Sequence, residues 1–428
     1  MDQTEALIIE TIDRHREEIL EFARDIYSHA ELGYKEFQTS GKFVKKMEQL
    51  GLRTEKGFAI TGVKAYLNED KKENASLALL GELDALRIPE HAFANPETNA
   101  AHCCGHHAQM AGVFGAALAL TVPEIAEKLD GQVVFFATPA EEYGEIEFKN
   151  QLREQGKIRY GGGKCELLRI GAFDDIDLCL THHIRPGNEI LVGSGTGNGF
   201  VSKVIRVLGK ASHAAGAPEK GVNALSAASL GLQALGLNRE TFRDEDCVRV
   251  HPIITKGGNL VNVIPDEVVV ETLVRGKTIE AFTDAAKKTD RSFKAGAIAM
   301  GAKVEISTLP GYLPTLAEEA LPELKHAAEI SASGIPVIEA SGHAGGSTDV
   351  GDVQHLMPVY TFNTGGVKGG LHQIDFEVTD EEEAYIVTAK MFALAAYGLL
   401  KEKAQRSREL VDQYEPVFKL SLIHISEP

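Results

Sequence analysis

GQVVFFATPAEEYG, residues 131–144, decides how the chain is read. It opens as a short apolar run that reads as a strand and then ends, past Pro139, in two adjacent carboxylates, Glu141 and Glu142. Two more such runs precede it, ITGVKAYL from Ile60 and SLALLGEL from Ser76, and a helical stretch from Ala108 to Leu120 lies between SLALLGEL and GQVVFFATP. This alternation predicts an α/β fold: a mixed sheet covered by helices, with reactive groups at the carboxyl ends of the strands. Upstream, Ile8, Ile12, Ile19, Phe22 and Ile26 recur at helical spacing, so one amphipathic helix of several turns is expected to open the chain.

Downstream, between Asn198 and Ser307, the pattern changes. It reads as strand (FVSKVIRVL), helix (Val222 to Leu237), strand (RVHPIITKGG), strand (EVVVETLVR), helix (Ile279 to Met300) and strand (KVEIS). That order is a βαββαβ unit, a smaller α+β, ferredoxin-like domain with a four-stranded sheet and two helices. The α/β pattern then resumes and closes on a helix from Thr379, where T-D-E-E forms a capping box. The expected division is a larger domain over 1–197 and 308–419, an inserted domain over 198–307, and a tail at 420–428. LSLIHISEP, from Leu420, resembles the translation of a sequencing-adapter end and is expected to be non-native. The charged stretch EIEFKNQLREQGKIRY, from Glu145, reads as a solvated insertion, and no internal repeat or low-complexity segment stands out.

At 428 residues the chain is long for one hydrophobic core, which fits two domains. A hydrophobic content of 43% and a charged content of 25% are those of a globular protein. The net charge of −18 argues against nucleic acid and anionic membrane surfaces as partners. MDQTEALIIE carries neither a basic nor an apolar leader region, and no apolar run reaches the ~20 residues of a bilayer span, so a cytoplasmic address is expected. Cys103, Cys104, Cys165, Cys179 and Cys247 are too few and too irregular for a disulfide framework, which fits a reducing compartment.

Four separated segments place metal-binding side chains beside strand ends or loops: HCCGHH (102–107), PAEEYG (139–144), THHIRPG (181–187) and GGLHQIDFE (369–377). Imidazoles, thiols and carboxylates together suit zinc and similar borderline ions. Any one segment alone carries little weight, because a lone histidine is usually a satisfied core or surface residue.

The wording and order of GELDAL, HCCGH, PAEE, GAFDDID followed by HHI, GKASHAA, GGNLVNVIPDE, GGSTDVGDV and LHQIDFE resemble the dinuclear metal aminoacylase and carboxypeptidase family. More closely, they are similar to its aminobenzoyl-glutamate hydrolase and acylase-like dipeptidase branch, from about Ile12 to Lys403. The resemblance implies a metal-dependent amidohydrolase that cleaves a small N-acyl amino acid, an aminobenzoyl-glutamate-like amide or a dipeptide with a free carboxylate. It makes Cys104, His106, Glu142, His183 and His372 the ligands of two divalent ions, zinc or manganese. Asp84 would orient those ligands, and Glu141 would be the general base that deprotonates water and returns the proton to the departing amine. It further implies that the inserted domain forms a homodimer and acts as a lid. His213 would reach the partner's active site to stabilise the oxyanion, and Asn262 and Arg275 would hold the substrate carboxylate.

The sequence also departs from the family. His107 follows the CGH motif in place of Asp or Asn, Arg87 stands in DALRIPE where DALP is usual, and residues 145–160 interrupt the run from AEE to GGGK. His182 competes with His183, which is preferred because it directly precedes the apolar-x-Pro segment. Cys103, His343 and His355 read as packing or loop residues. Two rival readings are a non-catalytic binding relative that keeps the fold, and a thiol hydrolase with Cys104 as nucleophile and His106 as base.

Overall fold

The computed structural model describes residues 1–332 and 334–418, so the expected tail at 420–428 lies outside the described residues. The chain divides into two compact units. One comprises Met1–Gly195, Leu316–Gly342 and the chain from Asp352 onward; the other comprises Thr196–Thr315 and His343–Gly351. The segment 343–351, which the sequence reading leaves with the larger domain, groups with the smaller unit.

The larger unit is built on an eight-stranded mixed sheet. Its strand order is Arg53–Phe58, Gly62–Leu67, Gln132–Thr138, Ser76–Glu82, Leu178–Ile184, Val359–Thr364, Ile190–Val192 and Val337–Glu339. The four central strands, from Gln132–Thr138 to Val359–Thr364, run parallel, and antiparallel neighbours flank them. Ser76–Glu82 and Gln132–Thr138 are buried at every position, which is why they read as continuous apolar runs rather than as alternating ones. Parallel strands bring their carboxyl ends to one edge, and the chain leaves that edge at Glu82, Thr138 and Ile184.

Helix His106–Leu120 is likewise buried along its whole length. Two glycines let it lie close to the last long helix: a Cβ on Gly112 would stand 2.5 Å from Thr388 Cγ2, and one on Gly115 would stand 2.5 Å from Ala389 Cβ. That last helix, with its lead-in Glu382–Val387, is long and apolar enough to cross a bilayer by length and composition, although Lys390 and Lys401 interrupt its apolar run. Of its apolar window, however, 89% is buried inside the protein, as in a core helix.

Three further local expectations are corrected. The opening helix is two, Gln3–Arg14 and Arg16–Ser28, divided at His15, although Ile8, Ile12, Ile19, Phe22 and Ile26 all enter the core as their spacing predicts. The closing helix is capped by Asp380, whose Oδ1 accepts from the amides of Glu382 and Glu383, while the Thr379 hydroxyl donates to the Gly366 carbonyl. The charged stretch from Glu145 is not wholly solvated, as a solvated insertion would be: Ile146–Glu154 forms a helix that buries Lys149 and Leu152.

In the smaller unit the order is strand, helix, strand, strand, helix, strand. Its antiparallel sheet runs from an edge strand through Glu267–Gly276 and Gly199–Leu208 to Lys303–Pro310. Pro252 divides that edge strand into Arg249–Val250 and Ile253–Lys256, both paired to Glu267–Gly276, because proline cannot donate to a ladder. Ile205 faces Val270 and Val207 faces Val268 in register, and these four pack with Phe293 under helices Ala224–Asn238 and Ile279–Met300. Asn223 and Thr278 cap the two helices through side-chain oxygens.

Adding a branched side chain between the two central helices forces them apart. Gly115→Val is therefore expected to cost about 2–3 kcal/mol, read as a lower urea midpoint at unchanged slope.

Candidate metal centre

The carboxyl ends of the three parallel strands carry the first donors. Strand Ser76–Glu82 ends in a buried carboxylate, and Asp84 follows it, fully buried. After Thr138, Pro139 and a left-handed Ala140 (φ +50°) turn the chain so that Glu141 and Glu142 come next. His183 lies at the end of strand Leu178–Ile184. Cys104 and His106 flank Gly105, the N-cap of the central helix, and His372 comes from the loop after Gly369 with φ +62°. The His372 amide donates to the Cys103 carbonyl at 2.9 Å, which fixes that turn against the Cys104 segment.

These side chains form two triads that share one atom. Cys104, His106 and His183 offer donor atoms all within 4.8 Å of one another, and so do Cys104, Glu142 and His372. Cys104 Sγ lies 3.2 Å from His183 Nε2 and 3.3 Å from His372 Nε2, and Glu142 Oε1 lies 3.1 Å from His372 Nε2. Donors around a tetrahedral ion with bonds of 2.0–2.3 Å stand about 3.5 Å apart, so the spacing suits a bound cation. His106 Nε2 and Glu142 Oε1 are buried without a well-aligned hydrogen bond, their nearest polar neighbours being Glu82 Oε2 and His372 Nε2, each at 3.1 Å. Such poorly satisfied buried atoms are costly unless they meet a ligand, and a mixed S, N and O set fits a borderline divalent ion.

A second ring of groups orients the first. His106 Nδ1 lies 2.9 Å from the Asp84 carbonyl and 3.2 Å from its Oδ1, which leaves Nε2 for the centre. Asp84 Oδ2 accepts the Glu142 amide at 2.9 Å. Burial alone would raise the Asp84 pKa, but hydrogen bonding to His106 and its charge outweigh that and hold the carboxyl down at about 2. Glu82 accepts from the Lys164 ammonium at 2.5 Å and from Gln109 Nε2 at 2.8 Å, and its Oε2 stands 3.1 Å from His106 Nε2. Burial opposes charge on His106, yet Glu82 and then Cys104 hold its pKa well above the usual range, so a cation binding there competes with a proton. Glu141 is 8% exposed, with Oε2 3.9 Å from His106 Nε2.

Other named residues lie elsewhere. His182 is a core residue whose Nε2 meets Thr364 Oγ1 at 2.8 Å beside Phe362 and Phe392. His107 faces Tyr385, with Nε2 3.1 Å from its hydroxyl, and Arg87 is exposed on a short strand. His343 bridges Thr196 and Asn198, and buried His355 stacks on Phe418. In the smaller unit His213 pairs with Val263, its Nδ1 accepting the Gly216 amide, and Asn262 is exposed. Arg275 lies over the Phe200 ring and donates to Ser347. The sequence reading overlooked Glu82, Lys164, Lys149 and Glu36. Glu82 was detectable as a carboxylate closing an apolar strand, two residues before Asp84.

The sequence matches peptidase family M20/M25/M40 over residues 78–397, most of the chain and every donor of both triads. The chain belongs to that family. Among M20 relatives, it is 27% identical over 427 residues to the Xaa-Arg dipeptidase of Mus musculus, covering 97% of this chain and 89% of that protein. It is 24% identical to the N-acetyl-L-cysteine deacetylase of Bacillus subtilis, covering 91% and 90% of the two chains. Its fold is similar to that of a Bacillus subtilis M20 peptidase described as binding a dinuclear metal, with a TM-score of 0.62 at 24% identity over 91% of this chain and 99% of the other. This M20 chain is a hydrolase of the peptidase and amidohydrolase kind.

Gly105, between two donors, has φ +84°, and a Cβ there would lie 2.0 Å from Ile184 Cγ2. Gly105→Ala is expected to lower stability by about 2–3 kcal/mol and to spread Cys104 from His106, with thermal melting and zinc uptake falling together.

Proposed function

We propose that the chain is a dinuclear metal-dependent amidohydrolase that cleaves the amide bond of a small N-acyl amino acid or dipeptide with a free carboxylate. The observation that carries this reading is the sharing of Cys104 between the triads: one thiolate within reach of both donor sets is what a pair of adjacent ions requires. Cys104, His106 and His183 would hold one ion, and Cys104, Glu142 and His372 the other. Zinc and manganese both suit such donors. When bound, the ions supply Lewis acidity toward water and the amide carbonyl.

The protein's own groups do the rest. Glu141 takes a proton from the attacking water and returns it to the departing nitrogen, a double duty open to one carboxylate because the two transfers occur in sequence. Asp84 keeps His106 in the tautomer that presents Nε2. We assign the smaller unit the role of dimerisation and lid domain, with the partner subunit's His213 supporting the oxyanion and Asn262 and Arg275 holding the substrate carboxylate. The acyl group would be small and the leaving amine an amino acid, in keeping with the dipeptidase and deacetylase relatives. Its five free cysteines favour a reducing, cytoplasmic setting.

Incubation with a chelator is expected to abolish hydrolysis across a panel of N-acyl amino acids, aminobenzoyl-glutamate and dipeptides, and added zinc or manganese to restore it; turnover that survives metal removal would instead indicate a Cys104 thiol hydrolase. Glu141→Gln is expected to lower kcat by about 10²–10⁴-fold while leaving two metals bound per chain, and a variant that turns over normally would refute Glu141 as base. Mixing His213→Ala with Glu141→Ala subunits is expected to restore part of the activity lost in each, and exchanged dimers with none would rule out a shared site.

A further inference from the structure

The turn that aims Glu141 and Glu142 at one centre is held in an unfavourable backbone conformation, and the group that holds it lies outside both triads. Ala140 sits in the left-handed region at φ +50°, where a Cβ is disfavoured. Glu36 is fully buried, with Oε1 accepting the Ala140 amide at 2.8 Å and Oε2 accepting the Thr61 hydroxyl at 2.7 Å. On its other side Ala140 rests against Gly33, where even a Cβ would approach its Cα and Cβ to 3.1 Å. The Ala140 carbonyl accepts the Gly163 amide at 3.0 Å. Both polar groups of the strained residue are therefore engaged.

Glu36 has no other evident use. It precedes helix Phe37–Gln49 but makes no side-chain cap to it. Glu31 takes that task, accepting the amides of Gln38 and Thr39 at 3.1 and 2.8 Å. No lysine, arginine or histidine among the described residues forms an ion pair with Glu36, and it belongs to none of the metal-donor groups. A buried acid is costly, and this one accepts from the strained Ala140 amide with one oxygen and from the Thr61 hydroxyl with the other.

We propose that Glu36 is a positioning residue, clamping Ala140 in its left-handed conformation so that Glu141 and Glu142 both turn into the metal centre. The proposal rests on the metal-hydrolase reading above. Because adjacent residues of an extended chain point to opposite faces, releasing Ala140 into the β region would swing one of the two carboxylates away.

The test uses the full chain, with zinc affinity from competition against a chromophoric chelator, kcat and KM on the best amide of the panel, and thermal melting. Glu36→Ala is expected to weaken zinc binding and lower kcat by about 10–100-fold, with KM within about threefold. Glu36→Gln keeps the acceptor for the Ala140 amide and is expected to stay within about threefold of the parent in zinc affinity, kcat and KM. Adding Ala140→Gly to Glu36→Ala is expected to recover part of the lost kcat, because glycine adopts positive φ freely. Unchanged zinc binding and kcat in Glu36→Ala, equal damage in Glu36→Gln, or no recovery with Ala140→Gly would each overturn the proposal. Should Glu36→Ala not fold, Thr61→Val decides: it removes one of the two donors to the carboxyl, and a lower kcat at an unchanged melting curve supports the clamp, whereas an unchanged kcat overturns it. A parent protein that takes up no zinc or manganese overturns the hydrolase reading itself, while uptake by the parent and by Glu36→Ala alike overturns only this inference.

Discussion

Mutual repulsion among buried carboxylates is the constraint on which the larger unit depends. Glu36, Glu82, Asp84, Glu141 and Glu142 crowd the carboxyl ends of parallel strands whose own side chains are wholly buried. Two like charges 4 Å apart repel by about 4 kcal/mol at an effective dielectric constant of 20, so a handful of them would cancel the net stability of a domain. The fold answers with buried cations and directed hydrogen bonds. Lys164, fully buried, closes on Glu82, and His106 faces Glu82 on one side and Asp84 on the other. Burial and the Asp84 charge push Glu36 up to about 7, so this acid carries only part of a negative charge near neutrality. An arrangement that tolerates this much acid without a cation at its middle is expensive, and the shared thiol with its surrounding donors makes a cation the natural remainder of the balance.

Holding the donors in place falls to backbone conformations that side chains rarely adopt. Ala140, Gly105 and His372 all have positive φ, and each lies at or beside a donor. Such turns persist only where the surroundings over-determine them. Here the surroundings are rigid: the central helix that begins at His106 is buried throughout and is pressed by Gly112 and Gly115 against the closing helix. Gly163 contributes a further close approach, since a Cβ there would lie 1.6 Å from the Pro139 carbonyl oxygen. The strain at the centre is thus supported by packing well away from it.

Much of this was legible in the sequence, and the reasons differ by element. The fully buried strands and the central helix declare themselves because a continuous apolar run has few other uses in a globular chain. The smaller unit was readable from the order of its strand-like and helix-like runs; among its strands Glu267–Gly276 alternates strictly in burial, whereas Gly199–Leu208 and Lys303–Pro310 do not. His183 was separable from His182 only through the resemblance to the family, since both stand on one strand and spacing alone leaves them equal. Glu82 and Glu36 were missed for a common reason: an acid beside an apolar segment reads as its solvated end, and only tertiary structure reveals that a lysine or a strained amide awaits it. The division at His15 and the cap at Asp380 were missed because helix ends depend on local dihedral angles that periodicity does not encode.

The stretch after Glu145 shows most plainly how composition misleads. EIEFKNQLREQGKIRY is rich in charge, and charge usually means water. Yet one of its lysines, Lys149, is 3% exposed and donates to the Glu142 carbonyl at 2.5 Å, between the rings of Tyr143 and Tyr34. The hydroxyl of Tyr34 in turn donates to the carbonyls of Tyr160 and Gly162, and Lys35 pairs with Glu145 at 2.8 Å, so both ends of the stretch are tied to the loop that carries Gly33 and leads to Glu36. The Glu142 peptide is thereby gripped on both sides, its amide by Asp84 and its carbonyl by Lys149, while its side chain stays free to face the centre. Six of the seven charged side chains between Glu145 and Tyr160 serve solubility or pairing as composition suggests; the seventh, Lys149, is buried where it holds the Glu142 backbone still beside the cluster of donors.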